Sequence, residues 1–182
     1  MVVVSREQEL VELVDEEGRA VGTATVEDAH RPPGRLHRAF SVLLIDSAGR
    51  LLMQQRAAVK TRFPLRWANA CCGHPAPGEA VAAAAARRLA QEVGLRDIAL
   101  TEIGLYVYHA LDPETGRVEH EYDHVLLGRA APTPQLHPDP AEVAAVRWVS
   151  PAELSEDLIA NPQSYAPWLA GVARSLPGWP GV

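Results

Sequence analysis

The sequence is poor in cysteine, in long apolar runs and in positive charge. Its 182 residues include two cysteines, which are neighbours at positions 71 and 72. Adjacent cysteines rarely bridge each other without backbone strain, so a disulfide scaffold is excluded and one reactive thiol remains open. No apolar run approaches the roughly 18 residues of a membrane span. The charges near the amino terminus arrive before a signal-peptide core could form. We therefore expect a cytoplasmic protein with no membrane partner.

The deficit of positive charge excludes another class. Lysine and arginine number 17 against 23 aspartates and glutamates, a formal net charge of −6, and an acidic chain is a poor candidate for nucleic-acid binding. Hydrophobic residues make up 47% and charged residues 22%, as in a folded globular domain. No internal repeat or low-complexity linker divides the chain. We expect one domain over 1–182, monomeric by default, with a frayed carboxyl-terminal stretch at 174–182.

The pattern of apolar residues, turns and caps predicts both strands and helices. Two hairpins are expected, 10–14 with 19–25 and 39–45 with 50–55, and further strands at 67–74, 102–110, 117–128 and 143–149. A helix is predicted over 79–93, between Gly78 and Gly94. A second helix is predicted from Pro151 to about residue 160, because Ser150 and Glu153 have the spacing of a capping box. The fold class is α/β (α+β), with a mixed sheet between helices and an additional N-terminal hairpin.

The region from Gly73 to Leu95 carries the most specific motif. It resembles the Nudix box, in which carboxylates of one helix hold Mg²⁺ against a diphosphate and the metal activates water. The residues that match at the right spacing are Gly73, Glu79, Arg87, Leu89, Glu92, Gly94 and Leu95. Arg88 and Gln91 stand where the box has glutamates. With only Glu92 left of the central three carboxylates, the helix can hold one Mg²⁺ on a diphosphate but is poorly equipped for hydrolysis.

Three weaker signals indicate further candidate catalytic or metal-binding residues near this helix. Cys72 and His74 would share one face of a strand, with Cys71 on the core side. His30 and His37 flank a proline-stiffened loop, and imidazoles suit Mn²⁺ or Zn²⁺ better than Mg²⁺. Glu119 and Glu121 would share a strand face, whereas His120 points away. Each signal also has a plain structural reading: a small buried thiol, solvated loop histidines and an exposed charged strand.

Taken together and in order, these pieces resemble the type I isopentenyl-diphosphate isomerases, which have a Nudix-type fold. Cys72-Gly73-His74-Pro75 resembles the family's Cys-Gly-His-Pro stretch, and Glu119 and Glu121 its Glu-x-Glu. The paired histidines at 30 and 37, the stretch 106–112 and the late Pro167-Trp168 also match. The similarity runs from about residue 10 to residue 168. One departure is Val26, where the family often has a lysine.

The resemblance implies an activity and a set of site residues. The activity is the interconversion of isopentenyl and dimethylallyl diphosphate through a tertiary carbocation, with proton transfer by Cys72 and Glu121. Trp168 would stabilise the carbocation by its aromatic face, and Tyr108 would orient Glu121. Mn²⁺ or Zn²⁺ would be held by His30, His37, His74, Glu119 and Glu121. Mg²⁺ would sit near Glu92 and bridge the substrate diphosphate, which Arg56, Lys60 and Arg88 would contact.

Two other functions stay open at this point. A Nudix diphosphohydrolase acting on a nucleotide or prenyl diphosphate would release phosphate, although Arg88 and Gln91 speak against it. A noncatalytic Nudix module that binds a metal or ligand would be indifferent to replacement of Cys72. A flavin-dependent isomerase is disfavoured because the chain has no glycine-rich dinucleotide motif and is too short for a barrel. Which of Cys72 and Glu121 protonates the substrate in the forward direction is also open.

Overall fold

Nine strands and four α-helices make up the part of the chain that the computed structural model describes, residues 5–132 and 134–181. The strands are β1 Leu10–Val14, β2 Ala20–Thr25, β3 His37–Ile45, β4 Leu51–Arg56, β5 Trp67–Ala68, β6 Cys71–Gly73, β7 Leu100–Leu111, β8 Val118–Arg129 and β9 Val143–Val149. The helices are α1 Val26–Ala29, α2 Val81–Val93, α3 Pro151–Ala160 and α4 Leu169–Ala173. Short 3₁₀ helices cover Arg6–Gln8 and Pro162–Ser164. None of these helices is both long and apolar enough to cross a bilayer.

Strand β3 is the centre of one mixed sheet. It pairs in parallel with β8 along its whole length and antiparallel with β6. Strand β8 also pairs antiparallel with β7, and β4 pairs antiparallel with β9 and β5. The predicted N-terminal hairpin is present as β1 and β2, and it joins β3 where Leu13 lies opposite His37. The sheet therefore brings chain segments that are far apart in sequence to the two sides of β3.

Alternation along β3 sends apolar side chains to both faces of the sheet. Phe40, Val42 and Leu44 pack on one face with the apolar side of α2. Leu43 and Ile45 pack on the other face with residues of α3 and α4. A strand buried on both faces is what a sheet between helices requires. The predicted mixed sheet between helices is confirmed.

Local signals set most element boundaries. Helix α2 ends at Gly94, which adopts the left-handed conformation at φ 78° that glycine accepts without a Cβ clash. Helix α3 begins with the predicted capping box, because Ser150 and Glu153 satisfy each other's backbone N–H groups. Helix α2 begins two residues later than predicted, at Val81. The Glu79 carboxylate instead accepts a hydrogen bond from the Ala76 N–H and pairs with Arg87.

The predicted strand at 67–74 is divided into β5 and β6. Strand β5 pairs with β4, whereas β6 pairs with β3, so the chain changes partner at Asn69 and Ala70. Helices α1 and α4 were not predicted, because each is at most five residues long and carries too little periodicity to be recognised.

The carboxyl-terminal stretch differs from the expected frayed tail as far as it is described. Leu176 is buried in the core, and Trp179 packs against the same cluster. The Ser155 hydroxyl donates a hydrogen bond to the Gly181 carbonyl oxygen at 3.1 Å. Val182, the last residue of the predicted tail, lies outside the described residues. The tail up to Gly181 is therefore held against the body of the protein.

Candidate active site

Strand register brings the predicted site residues together. His37 on β3 lies opposite Glu121 on β8, and Tyr108 on β7 lies opposite the same glutamate. Ser41 on β3 lies opposite Cys72 on β6. These pairings depend on the register of the strands. The Cys72 thiol and the Glu121 carboxylate lie on β6 and β8, and both of these strands pair with β3.

Three histidines form a cluster at the amino-terminal end of β3. The ring centroids of His30, His37 and His74 lie 4.6–5.2 Å apart. One ligand atom from each, together with one carboxylate oxygen of Glu121, fall within 4.8 Å of one another. His30 and His37 are fully buried. Histidines next to loops are ordinarily exposed to solvent. Burial of these rings against each other therefore indicates a binding site for a ligand or an ion between them.

Backbone carbonyls set the orientation of two of these rings. The Nδ1 atom of His30 lies 2.6 Å from the Val26 carbonyl oxygen, and that of His37 lies 2.7 Å from the Arg35 carbonyl oxygen. A carbonyl can only accept, so each Nδ1 carries the hydrogen and a neutral ring directs the lone pair of Nε2 into the cluster. The buried Nε2 of His37 has no hydrogen-bond partner among the described residues. This is the orientation found for histidines that bind a metal.

Two carboxylates complete the cluster. An oxygen of Glu119 lies 2.9 Å from Nε2 of His30. One oxygen of Glu121 lies 3.0 Å from Nε2 of His74 and 3.7 Å from Nε2 of His37. With a neutral His30 ring, two acceptors would face each other at 2.9 Å, an arrangement that needs a proton or a metal cation between them. The donor set of imidazoles and carboxylates therefore fits a divalent metal ion, and the cluster could bind one.

Burial and hydrogen bonding shift the pKa values here. Burial lowers the pKa of His74 to about 4, so its ring is neutral near pH 7, as a ligand must be. Burial alone would raise the pKa of Glu121, but the neighbouring imidazoles of His37 and His74 outweigh it and hold that pKa well below its ordinary range. The Tyr108 hydroxyl donates to the other oxygen of Glu121 at 2.7 Å. Burial and the nearby Glu121 raise the pKa of Tyr108 well above its ordinary value, so this hydroxyl remains a donor.

The carboxylates of this cluster face a cavity of about 300 Å³. His74, Glu119 and Glu121 line it, together with Cys72, Tyr108 and Trp168. Positive side chains also line it, namely Arg6, Arg56, Lys60, Arg62, Arg87 and Arg88. Such a cavity is large enough for a small organic molecule. Its lining suits an anionic ligand that exchanges protons with side chains of the cavity.

The two neighbouring cysteines have opposite environments, as alternation along the strand predicted. Cys71 is fully buried in the apolar core under α2. Cys72 lines the cavity, and its sulfur lies 3.2 Å from the Asn69 side-chain oxygen and 3.5 Å from the Ser41 hydroxyl. Burial, reinforced by the negative charge of Asp123, raises the pKa of Cys72 to about 12. The cavity therefore contains a protonated thiol.

The two departures from the Nudix box contact each other. Arg88 donates through Nη1 to the Gln91 side-chain oxygen at 2.9 Å, and its Nη2 pairs with Glu92. The Nε of Arg88 is buried and has no hydrogen-bond partner among the described residues. The matching box residues Glu79 and Arg87 pair with each other, at 3.0 Å, and brace the start of α2.

Glu92 lies apart from the histidine cluster. Its oxygens accept hydrogen bonds from Gln54, at 2.9 Å, and from Arg88. Glu92 is not one of the residues that line the cavity, whereas Glu142 is one and pairs with Arg6 and Lys60. The expectation that Glu92 holds Mg²⁺ with the substrate stays a prediction.

Two of the predicted diphosphate contacts have further roles. The Arg56 guanidinium donates to the Phe63 carbonyl oxygen at 3.1 Å and lies 5.3 Å from the Trp168 ring centre. It therefore braces the loop after β4 and packs on the indole as well. Lys60 is largely buried. Burial, together with the neighbouring cation Arg56, lowers the pKa of Lys60 to about 7, although Glu92 opposes this shift.

Several cavity residues were not identified from the sequence. Arg6 comes from the 3₁₀ helix near the amino terminus, and Glu142 from the turn before β9. Arg62 donates to a Glu119 oxygen at 3.2 Å and to Glu7 at 3.1 Å, and so connects the histidine cluster to the N-terminal segment. These residues belong to no motif, and no spacing signal in the sequence points to them.

Comparisons with known proteins agree with the fold. Residues 35–171 match the NUDIX domain family. A crystal structure of a protein from Deinococcus radiodurans superposes with a TM-score of 0.74 at 20% identity, covering 93% of this chain and 100% of that one. A NUDIX hydrolase from Alicyclobacillus acidocaldarius gives a TM-score of 0.58 at 14% identity, covering 74% and 88%. The fold and the site thus define a NUDIX-domain protein.

Sequence relatives narrow this class. The chain is 67% identical to the Isopentenyl-diphosphate Delta-isomerase of Nocardia farcinica, over 89% of its own length and 91% of that protein. It is 55% identical to the Isopentenyl-diphosphate Delta-isomerase of Streptomyces coelicolor, over 81% of its own length and 74% of that protein. The chain belongs to the isopentenyl-diphosphate Delta-isomerase family. The family resemblance inferred from the motifs is confirmed.

Proposed function

We propose that this protein interconverts isopentenyl diphosphate and dimethylallyl diphosphate by metal-dependent proton transfer through a tertiary carbocation. The observation that carries the proposal is the pairing of the Cys72 thiol and the Glu121 carboxylate in one cavity. Family membership supports the same reaction. The proposal also assigns roles to the site residues and to two metal ions.

The reaction needs one proton donor and one proton acceptor. A proton adds to the terminal carbon of the double bond, whose π electrons form the new C–H bond and leave a tertiary cation. A proton then leaves the carbon on the other side of the cation, and the electrons of that C–H bond form the new double bond. With Cys72 protonated and Glu121 ionised, the pair holds one transferable proton. After one turnover the proton has changed sides, which suits a reversible reaction.

Aromatic rings suit the cationic stage. Trp168 lines the cavity, is 2% exposed, and has its ring centre 6.0 Å from that of Tyr108. A desolvated aromatic face stabilises a cation by about 2 kcal/mol or more. Phe63 packs edge-on against Trp168 with ring centres 5.7 Å apart, which fixes the plane of the indole. In these roles Trp168 stabilises the cation, whereas Tyr108 orients the Glu121 carboxylate.

The cationic side chains of the cavity suit the diphosphate. Arg56, Lys60 and Arg88, to which the family resemblance assigns the substrate contacts, line the cavity, and Arg6 adds a further positive charge. Guanidinium groups such as that of Arg88 bind phosphate oxygens through charge-assisted hydrogen bonds. Arg6, Lys60 and Arg88 are paired with Glu92 or Glu142, so a diphosphate would compete with carboxylates for these three cations. Mg²⁺ that accompanies the diphosphate would reduce this competition, with Glu92 as its protein ligand.

The histidine cluster would hold the second ion. His30, His37, His74, Glu119 and Glu121 supply three imidazoles and two carboxylates, a set that suits Mn²⁺ or Zn²⁺ better than Mg²⁺. The bound ion would supply positive charge beside Glu121 and so favour its ionised form. Glu121 is then placed by His74 on one oxygen and by Tyr108 on the other.

The test is incubation of the purified protein with isopentenyl diphosphate, Mg²⁺ and Mn²⁺ in D₂O, followed by NMR. We expect dimethylallyl diphosphate that carries deuterium in a methyl group. The same incubation with Glu121→Gln should give no product while the thermal unfolding of the variant shows an intact fold. Dimethylallyl diphosphate without deuterium would refute transfer through groups that exchange with solvent.

A diphosphohydrolase is the second candidate, because the chain has the NUDIX fold of known hydrolases. It would release phosphate or the monophosphate in the same NMR experiment. Arg88 and Gln91 favour the isomerase, since they stand where the hydrolytic motif has glutamates. If neither product forms with the metals present, the protein is a binding module or acts on a different diphosphate.

A further inference from the structure

We infer that Asn69 is a positioning residue that holds the Cys72 thiol and the Trp168 indole in fixed relation through a single side-chain oxygen. This inference rests on the proposed function for the roles of those two residues. Asn69 lies between β5 and β6, is fully buried, and takes no part in the histidine cluster.

The Asn69 side chain is satisfied on both of its ends. Its amide nitrogen donates to the Cys71 carbonyl oxygen at 2.9 Å and to the Val42 carbonyl oxygen at 3.2 Å. Its oxygen lies 3.2 Å from the Cys72 sulfur and 3.2 Å from the indole nitrogen of Trp168. One rigid amide therefore connects β3, β6 and the segment before α4.

Chemistry fixes which end of the amide faces the cavity residues. The indole nitrogen of Trp168 can only donate, and the two backbone carbonyl oxygens can only accept. If the amide were flipped, its nitrogen would face the indole N–H of Trp168, a donor against a donor. Its oxygen would face the carbonyl oxygens of Val42 and Cys71, an acceptor against acceptors. The oxygen must therefore face Cys72 and Trp168, and the thiol that it meets is the donor in that contact.

This geometry has a consequence for the reaction. The thiol and the aromatic face must lie on correct sides of the same small substrate, and misplacement of a reacting group by about 1 Å can cost about a hundredfold in rate. Each contact with the Asn69 oxygen removes one rotational freedom, at the Cys72 S–H and at the Trp168 ring. The Asn69 side chain is hydrogen-bonded to Val42, Cys71, Cys72 and Trp168 and not to the cationic side chains that line the cavity, so its role should appear in kcat and not in KM.

The test uses Asn69→Leu, which keeps the approximate volume, and Asn69→Asp. Burial favours the protonated form of the carboxyl that Asn69→Asp introduces, which keeps the shared oxygen and donates one hydrogen bond towards the backbone carbonyl oxygens. We expect Asn69→Leu to lower kcat by roughly 10- to 100-fold, the equivalent of one or two lost hydrogen bonds, with KM within threefold of wild type. Asn69→Asp should retain at least ten times the kcat of Asn69→Leu. Ser155→Ala removes a buried hydroxyl whose partner is Gly181, and as the control it should leave kcat unchanged.

A second readout does not depend on turnover. In a ¹H–¹⁵N spectrum, the Trp168 indole signal is assigned by its loss in Trp168→Phe. It should shift in Asn69→Leu and stay near its wild-type position in Asn69→Asp, since only the second variant keeps the acceptor. An unchanged indole signal in Asn69→Leu overturns the inference. So does a kcat within threefold of wild type, or a loss that appears in KM alone.

The two readouts separate this inference from the proposed function. If the wild-type protein does not isomerise isopentenyl diphosphate, the proposed function fails, and the indole signal still decides whether Asn69 holds Trp168. If Asn69→Leu does not fold, Asn69→Asp decides. A loss of kcat in Asn69→Asp as complete as that in Glu121→Gln, with the indole signal unmoved, contradicts positioning by the shared oxygen.

Discussion

Replacing Cys72 by alanine should stop the double-bond shift, whereas the same change at Cys71 should leave it nearly intact. The two thiols are adjacent in the chain and identical in chemistry, so each is the matched control for the other. Cys72 lines the cavity, and Cys71 is fully buried against the apolar side of α2. Because the residue type is the same, comparing the two variants shows the effect of the position of the thiol alone.

The expected magnitudes differ in kind as well as in size. Cys71→Ala removes one buried sulfur from a packed core and should cost about 1 kcal/mol of unfolding free energy. For a chain of this length that corresponds to a fall in Tm of roughly 2–4 °C. Cys72→Ala removes a proton donor or acceptor, and such groups contribute about 10²- to 10⁴-fold to rate. At 1.36 kcal/mol per factor of ten, this is about 2.7–5.4 kcal/mol of activation free energy.

The assay combines kcat from the NMR time course with Tm from calorimetry. Cys72→Ala should show a collapsed kcat with a Tm close to wild type, because its side chain is less tightly packed. Cys71→Ala should show the reverse. A Cys72→Ala variant that keeps more than a tenth of the wild-type kcat would refute the acid/base assignment. Loss of turnover in Cys71→Ala with an unchanged Tm would assign the proton transfer to Cys71.

Three further predictions concern the rest of the site. Tyr108→Phe removes the 2.7 Å hydrogen bond to Glu121, and a hydrogen bond to a charged group is worth about 1.5–3 kcal/mol. In steady-state kinetics kcat should therefore fall by roughly 10- to 150-fold. A change in kcat below threefold would contradict the orienting role of Tyr108. Lys60 has a pKa of about 7 and loses its charge as the pH rises through that value, so KM for the diphosphate should rise above pH 7. Lys60→Arg stays charged and should flatten this pH profile of KM. An equal slope in both proteins would exclude Lys60 as the group that causes the pH dependence. Titration calorimetry with Mn²⁺ or Zn²⁺ should show at least tenfold weaker metal binding in His37→Ala than in wild type, because the unpartnered Nε2 of His37 faces the cluster. His109 is exposed, and the control variant His109→Ala should bind the metal as wild type does.

Much of the fold was readable from local pattern. The left-handed turn at Gly94, the capping box at Ser150 and the hairpins follow from residue types within a few positions of each other. Alternation along a strand also separated Cys71 from Cys72 correctly, since neighbouring side chains on a strand point to opposite faces. The change of partner at Asn69 was not readable, because pairing with β4 or with β3 depends on where those strands lie and not on the segment itself.

For the site, the ordered set of motifs identified the family and named several residues that line the cavity, among them Cys72 and Glu121. It gave no role to Asn69, three residues before Cys72, and it did not identify Arg6, Arg62 or Glu142, which belong to no motif. It also did not indicate that Arg88 would pair with both Gln91 and Glu92. A helix of known spacing shows which residues share a face, but the partners they select depend on charges supplied by other segments.

By itself, the sequence of this protein determined which residue types are available and which of them share a strand or helix face, because those properties follow from the fixed periods of the backbone. The tertiary structure alone decided which faces meet. The parallel register of β3 and β8 sets His37 against Glu121, and the buried amide of Asn69 joins Cys72 to Trp168. Contacts of this kind join segments far apart in the chain, and they form only when burial of the apolar core aligns the strands that carry them.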